Sequence, residues 1–183
     1  ERSVQRSSHL IDQLLLLARM DAQLPLQLQT LDVAAFVQQV LADVAITALA
    51  VDVELSLDAP DSVPFTTDVT LLHTILHNLL GNALKYASAG KVIEVQLHAD
   101  KDWLHLAVAD AGPGIVESEQ AAVFERFYRV AGSQSSGSGL GLAIVQQAVT
   151  CLQGRLALTT GLHGRGCRFV IALPRLTIKG VGI

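Results

Sequence analysis

The sequence is short of several things, and each shortage excludes something. It has 13 basic residues against 17 acidic ones and a formal net charge of −4, so no basic surface offers itself to nucleic acid. It has only two cysteines, Cys151 and Cys167, spaced too widely for a zinc motif. A reducing compartment is the simpler setting for so few thiols. Aromatic residues make up 4% of the chain, so the core must be aliphatic. No apolar run is long enough to cross a bilayer. The stretch from Glu1 lacks the charged, apolar and cleavage regions of a signal peptide. No internal repeat is visible. Hydrophobic residues, in contrast, make up 50% of the 183 residues. That is enough for a sizeable core, in one large domain or one domain with an appendage.

Read in order, the pattern gives a helix over residues 1–21. Leu10, Ile11, Leu14, Leu15, Leu17 and Ala18 form a broad apolar stripe, with Arg6, Asp12, Gln13 and Arg19 off it. Pro25 ends it. So wide a stripe needs burial, and a helical bundle is favoured over packing on the main domain. Residues 23–31 alternate and read as a linker or edge strand. Asp32 caps a helix over 33–49. Val51, Val53, Leu55 and Leu57 alternate as a strand, and 58–64 is a turn-rich loop. A long helix covers 68–87, capped by Thr67 or Asp68. Ile93, Val95 and Leu97 make one strand and 103–109 another, joined by a hairpin at Asp100-Lys101-Asp102. Val123 to Val130 is a short amphipathic piece, and the small polar run from Ala131 to Ser138 is expected to be mobile. A helix near 140–152 and strands at 155–160 and 167–173 follow, the last two joined by Gly161–Gly166. Helices and strands mixed over one sheet indicate an α/β fold, a two-layer α/β sandwich preceded by a helix.

Three stretches carry chemistry. The strand at 103–109 runs into Asp110-Ala111-Gly112-Pro113-Gly114-Ile115. A carboxylate at a strand end beside bare backbone suits a flat ligand, since it can accept the amino hydrogens of an adenine ring. On the long helix Asn78, Asn82 and Lys85 stand at i, i+4 and i+7, on one stripe. An amide oxygen can ligate Mg²⁺, and a lysine can hold phosphate as a point charge. Gly137-Ser138-Gly139-Leu140-Gly141 opens directly into a helix, where bare N–H groups and the helix dipole favour phosphate. It is neither a P-loop nor the Rossmann fingerprint. Between them, Phe124-Glu125-Arg126-Phe127-Tyr128-Arg129 sets aromatics among charges. Phe124, Phe127 and Tyr128 are placed to anchor one end of a lid over 116–138 whose other end is Gly137–Gly141.

In their order and spacing these stretches resemble the sensor histidine kinases. Asn78 to Tyr86 is similar to their N box, Asp110 to Ile115 to the G1 box, Phe124 to Arg129 to the F box, and Gly137 to Ile144 to the G2 box. The resemblance covers about residues 30–175 and implies the Bergerat ATP-binding fold of the catalytic domain. Residues 1–22 are similar to the end of the second helix of the dimerisation and phosphotransfer domain, which strengthens the bundle reading. The implied division is 1–22 dimerisation helix, 23–31 linker or edge strand, 32–176 catalytic domain and 177–183 tail.

The resemblance also implies roles. Asn82 ligates Mg²⁺ with Asn78 beside it, Lys85 contacts phosphate, and Tyr86 lies against the nucleotide. Asp110 holds the adenine amino group, with Gly112, Gly114 and Ile115 shaping its pocket. Phe127 and Arg129 belong to the lid, with Arg129 reaching the γ-phosphate on closure. Gly137, Ser138, Gly139, Leu140 and Gly141 cradle phosphates. The implied cofactors are ATP and Mg²⁺, and the implied catalytic residues Asn78, Lys85 and Arg129. The implied partners are its own dimerisation domain in a homodimer and a response regulator. The implied location is the cytoplasmic side of a bacterial inner membrane, reached through segments upstream of Glu1. The alternatives are an ATPase clamp of the same fold, of the gyrase or Hsp90 type, and a non-catalytic nucleotide-binding scaffold. Three departures stand out. Gly164-Arg165-Gly166-Cys167 is similar to a third glycine box but ends in cysteine instead of threonine, and a thiol makes a weaker hydrogen bond than a hydroxyl. Gly81 sits inside the long helix at a cost of about 1 kcal/mol against alanine, which close packing would explain. The phosphoacceptor pattern, a histidine followed by an acid and then a proline, is missing. His9 precedes Leu-Ile-Asp and reads as a bundle-surface residue, so the chain reads as starting within the second bundle helix.

Overall fold

Two aspartates start the two longest helices of the main domain, each closing a short strand. The computed structural model describes residues 2–86, 91–130 and 137–176, with side chains from Leu10 onward. His9, the residues 131–136 of the expected mobile run and the tail at 177–183 therefore have expectations outside the described residues or side chains. The elements are α1 (Arg2–Asp21), β1 (Leu28–Asp32), α2 (Val33–Ala50), β2 (Glu54–Asp58), β3 (Pro64–Asp68), α3 (Val69–Tyr86), β4 (Val92–Ala99), β5 (Trp103–Asp110), α4 (Gly141–Cys151), β6 (Arg155–Thr160) and β7 (Cys167–Pro174).

Asp32 ends β1 and caps α2. Its Oδ1 accepts the Ala34 N–H at 3.0 Å and the Val63 N–H at 2.9 Å, while Ser62 Oγ donates to Oδ2 at 2.6 Å. Asp68 ends β3 and caps α3 through the N–H groups of Thr70 and Leu71. The hydrogen bonds from Ser62, Val63 and the helix N-terminus hold the Asp32 carboxyl below its ordinary value. A lowered native pKa means stability that is fully present above the unfolded carboxylate value and is lost as pH falls through the native one. Asp32→Ala should therefore lower the thermal midpoint at neutral pH, and its deficit against the wild type should shrink in acid. Thermal scans at pH 7 and below pH 4 check both statements, and parallel curves would contradict them.

The sheet has five strands in the order β2-β4-β5-β7-β6, with β2 parallel to β4 and the other neighbours antiparallel. Alternation puts Ile93, Val95 and Leu97, Leu104, Leu106 and Val108, and Phe169, Ile171 and Leu173 in the core. There they form one cluster with Val37 and Val40 of α2, Leu72, Leu76 and Leu79 of α3, and Ile144 and Ala148 of α4. The result is the expected two-layer sandwich.

The structure departs from the sequence reading in five places. β3, which starts at the last residue of the stretch read as a loop and runs to the cap of the next helix, pairs antiparallel with β1 as a separate two-stranded ribbon. Val51 and Asp52 belong to a turn that closes α2, with Asp52 at φ 57°, so β2 begins only at Glu54. The α1 stripe divides: Leu17 and Met20 are buried against the main domain, whereas Leu10, Ile11, Leu14 and Leu15 stay exposed. By length and composition alone α2, with 18 residues and mean hydropathy 1.7, is apolar enough to cross a membrane. Its cap at Asp32 and its buried Val33, Ala34, Val37, Val40 and Ala48 place it in the helical layer. Gly81 is exposed and a methyl there would meet nothing within 4 Å, so close packing in this chain does not explain it.

Candidate functional site

β5 delivers the first half of the site. Among the described residues the buried polar ones are Thr67, Asp68 and Asp110. Asp68 has a structural task, since besides capping α3 its Oδ2 accepts the Gln27 N–H at 2.8 Å. Asp110 stands at the strand end, where the Gly112 N–H donates to its Oδ1 at 2.8 Å and the Cys167 N–H at 3.3 Å. Burial pushes its carboxyl above the ordinary value, and these two hydrogen bonds pull it partly back. A carboxylate kept in such a place is a strong acceptor for a ligand's amino group.

The turn between β6 and β7 lies directly on Asp110. Gly166 has φ 75°, and a methyl there would sit 2.8 Å from Asp110 Oδ1 and overlap the Asp110 carbonyl oxygen. Gly114 faces the same turn, 3.1 Å from the Gly166 carbonyl by the same measure, and Ile115 is packed against the core. Cys167 follows. Burial first, then the Asp110 charge, pushes its thiol up to about 12, so the thiol is neutral and its contact with Asp110 is made by its backbone. Gly166→Ala should lower the thermal midpoint and the ligand affinity together, by more than about 1 kcal/mol in stability. Thermal unfolding and calorimetry on one preparation check this; an unchanged midpoint would contradict it.

α3 delivers the second half. Asn78, Asn82 and Lys85 are all half-buried on one stripe, while Leu72, Leu76, Leu79, Leu80 and Ala83 are buried. Asn78 Nδ2 donates to the Thr74 carbonyl at 2.8 Å. Its Oδ1 faces the start of α4, where a methyl on Gly141 would lie 3.1 Å away. A methyl on Gly137 would lie 2.7 Å from Lys85 Nζ. Bare backbone is therefore what brings this loop up to the polar stripe of α3. Lys85 Nζ also stands 4.9 Å from the centroid of the Tyr86 ring. The Tyr86 carbonyl abuts Gly112, joining the end of α3 to the turn after Asp110.

The start of α4 differs from those of α2 and α3. Leu140, at its N-cap, is fully buried, and no side chain caps the first turn. Its N–H groups and dipole are left for an anion. An amide oxygen, an ammonium and an uncapped helix start converge here, and this donor set suits a phosphate carrying a hard cation.

The described part of the segment read as a lid, residues 116–130, is held at identifiable points. Phe124 packs edge-on to Phe169 at 6.3 Å, and Tyr128 Oη donates to Glu119 at 3.2 Å. Phe127 corrects the sequence reading. The residue is 60% exposed, and it is fixed instead by its backbone, whose N–H donates to the Gly139 carbonyl at 2.9 Å. Arg129 lies on the exposed side of the same segment.

Sequence reasoning missed the link to α1. Arg126 makes two hydrogen bonds of 2.8 Å to Asp21, across 105 residues. Ser138 Oγ donates to Gln13 Oε1 at 2.9 Å and accepts the Leu140 N–H at 3.3 Å. It also missed Gly161, which touches the Asp110 carbonyl beside Gly166. No local signal marks such long-range contacts. The only hint was two glycines flanking a loop.

Residues 67–177 match the family model described as histidine kinase-, DNA gyrase B-, and HSP90-like ATPase. The swarming motility regulation sensor protein RssA of Serratia marcescens is 40% identical over 176 residues, covering 95% of this chain and 38% of its own length. The sensor protein kinase PmrB of Pseudomonas aeruginosa is likewise 40% identical over 176 residues, with 95% and 37% covered. The chain thus spans less than two fifths of either relative. Among solved structures, full-length ShkA in complex with AMPPNP superimposes with a TM-score of 0.86 at 28% identity, over 97% of this chain and 37% of that one. The histidine kinase AdeS of Acinetobacter baumannii does so with a TM-score of 0.81 at 25% identity, over 96% and 82%.

Proposed function

This chain belongs to the histidine kinase-, DNA gyrase B- and HSP90-like ATPase family, as the ATP-binding catalytic domain of a sensor histidine kinase, and from that premise we propose that it transfers the γ-phosphoryl group of ATP to a histidine. The acceptor lies on the protein's dimerisation domain, and a response-regulator aspartate takes the phosphoryl group onward. The observation that carries this reading is the approach of Gly137 and Gly141 to Lys85 and Asn78 at an uncapped helix start.

Each residue then has a physical task. Asp110 accepts the adenine amino hydrogens and fixes the base. Gly112, Gly114 and Ile115 bound the base pocket, and Tyr86 lies along the nucleotide. Lys85 binds a phosphate oxygen as a point charge, and the N–H groups around Ser138 to Gly141 hold the others. Asn82, with Asn78 beside it, would hold Mg²⁺, which when bound neutralises phosphate charge. Arg129 comes to the γ-phosphate when the segment bearing Phe127 closes. Catalysis rests on position and charge, with no covalent work for the protein. Asn78 has no basic oxygen able to take a proton from water, so the ATPase-clamp alternative is disfavoured. The presence of all four stretches in order argues against a non-catalytic scaffold.

The whole protein acts as a homodimer joined through helices continuous with α1, on the cytoplasmic side of a bacterial inner membrane. Residues 1–22 belong to the dimerisation helix and 32–176 to the catalytic domain. Calorimetry of ATP binding with and without Mg²⁺ tests the site. Affinity that requires Mg²⁺ for its full strength supports it, and indifference to Mg²⁺ contradicts it.

A further inference from the structure

α3 carries a second polar stripe, turned away from the core and not used by the nucleotide site. His73 and His77 lie one helical turn apart on it, both exposed. Their rings stack, with centroids 5.8 Å apart and an interplanar angle of 19°. His73 is placed by Phe36 of α2, whose ring meets it edge-on at 6.3 Å. One turn further along the stripe stands Gly81, where even a methyl would touch nothing within 4 Å. The helix surface one turn beyond His77 is therefore uncrowded at Gly81.

We propose that His73 and His77 form a binding site for a borderline divalent transition cation such as Zn²⁺. Two histidines at i and i+4 on a helix face are a recurrent metal-chelating pair. With metal–nitrogen bonds of about 2.1 Å in tetrahedral geometry, two imidazoles on one ion sit with ring centroids about 5 Å apart. The observed 5.8 Å is close to that. A rotation about the soft second torsion of each histidine turns a nitrogen of each ring toward a common point. No cluster of three or more histidine, cysteine or acidic groups suited to a metal exists among the described residues, so water completes the shell and the ion exchanges readily. Imidazole favours Zn²⁺ over Mg²⁺, which prefers oxygen. The site is thus chemically separate from the amide stripe of Asn78 and Asn82. A chelate across this turn clamps α3 just before Asn78.

The test titrates Zn²⁺ alone, without nucleotide, into the whole chain and into His73→Gln and His77→Gln. Glutamine keeps helix propensity, and circular dichroism verifies the fold of each variant. A control carries His98→Gln and His105→Gln, a stacked pair on β4 and β5. The expected result is a one-to-one site in the wild type and the control. Either α3 substitution should weaken it by at least about tenfold, because a two-point chelate becomes a one-point contact. Zn²⁺ should also raise the thermal midpoint of the wild type and leave both α3 variants unmoved, and Mg²⁺ should have neither effect. Equal Zn²⁺ affinity in either α3 variant, loss of the site in the control, or no Zn²⁺ binding in the wild type would each overturn the proposal.

Discussion

Asp110→Asn should weaken ATP binding by at least about tenfold, the free-energy equivalent of one charge-assisted hydrogen bond. The result follows from the proposed role of Asp110 together with its hydrogen bonds. Oδ1 accepts from the N–H groups of Gly112 and Cys167, so the amide of an asparagine must keep its oxygen on that side. Its NH₂ then occupies the place of Oδ2 and presents a donor to the adenine amino group. The carboxylate's charge is lost as well. Because asparagine fills nearly the same volume and relieves a buried charge, the thermal midpoint should hold or rise, which separates a binding defect from unfolding. Calorimetry with ATP checks the affinity. An affinity equal to the wild type would remove Asp110 from the base pocket.

Asn82→Ala should reduce phosphoryl transfer by about a hundredfold or more, because it deletes the proposed metal ligand while every other contact remains. Asn82 is half-buried on α3, and alanine is the better helix former, so the fold should not suffer. The variant should still bind nucleotide weakly without Mg²⁺, through Asp110 and Lys85, but gain nothing when Mg²⁺ is added. Transfer rates measured at saturating ATP, beside calorimetry with and without Mg²⁺, check both statements. A Mg²⁺ response equal to that of the wild type would place the metal elsewhere.

Much of this site was legible because its parts are local in sequence. Asn78, Asn82 and Lys85 fall on one stripe by helical period alone. Asp110 is marked by a strand that alternates up to it and a Gly-Pro-Gly turn after it. The glycines at 137, 139 and 141 announce a helix start by their spacing. What was illegible is what depends on distant chain. β3 is five residues beginning with proline, and only its pairing with β1 makes it a strand. Cys167 reaches Asp110 across 57 residues, and nothing near either residue records the approach. The α1 stripe gave its length and polarity but not its division, since Leu17 and Met20 are covered by the main domain and Leu10 to Leu15 are not. Phe127 read as an aromatic lid anchor by type. Its positive φ and its backbone bond to Gly139 depend on a loop that a propensity does not see.

On the proposed function, the 183 residues hold the phosphoryl-transferring half of a histidine kinase and no phosphoacceptor pattern. The most direct measurement supplies ATP labelled at the γ-phosphate, with Mg²⁺, to the chain alone and to the chain mixed with a separately made acceptor domain bearing the histidine. Acid treatment then distinguishes phosphohistidine, which is acid-labile. The chain alone should carry no label, since the phosphoacceptor pattern is absent, and it should release phosphate only slowly because Asn78 is no base. In the mixture, acid-labile label should appear on the acceptor domain. Transfer should be slow, because the tether that raises the effective concentration is missing. Acid-labile label on the chain alone, at His9 for instance, or rapid phosphate release with no label on the acceptor, would contradict the account.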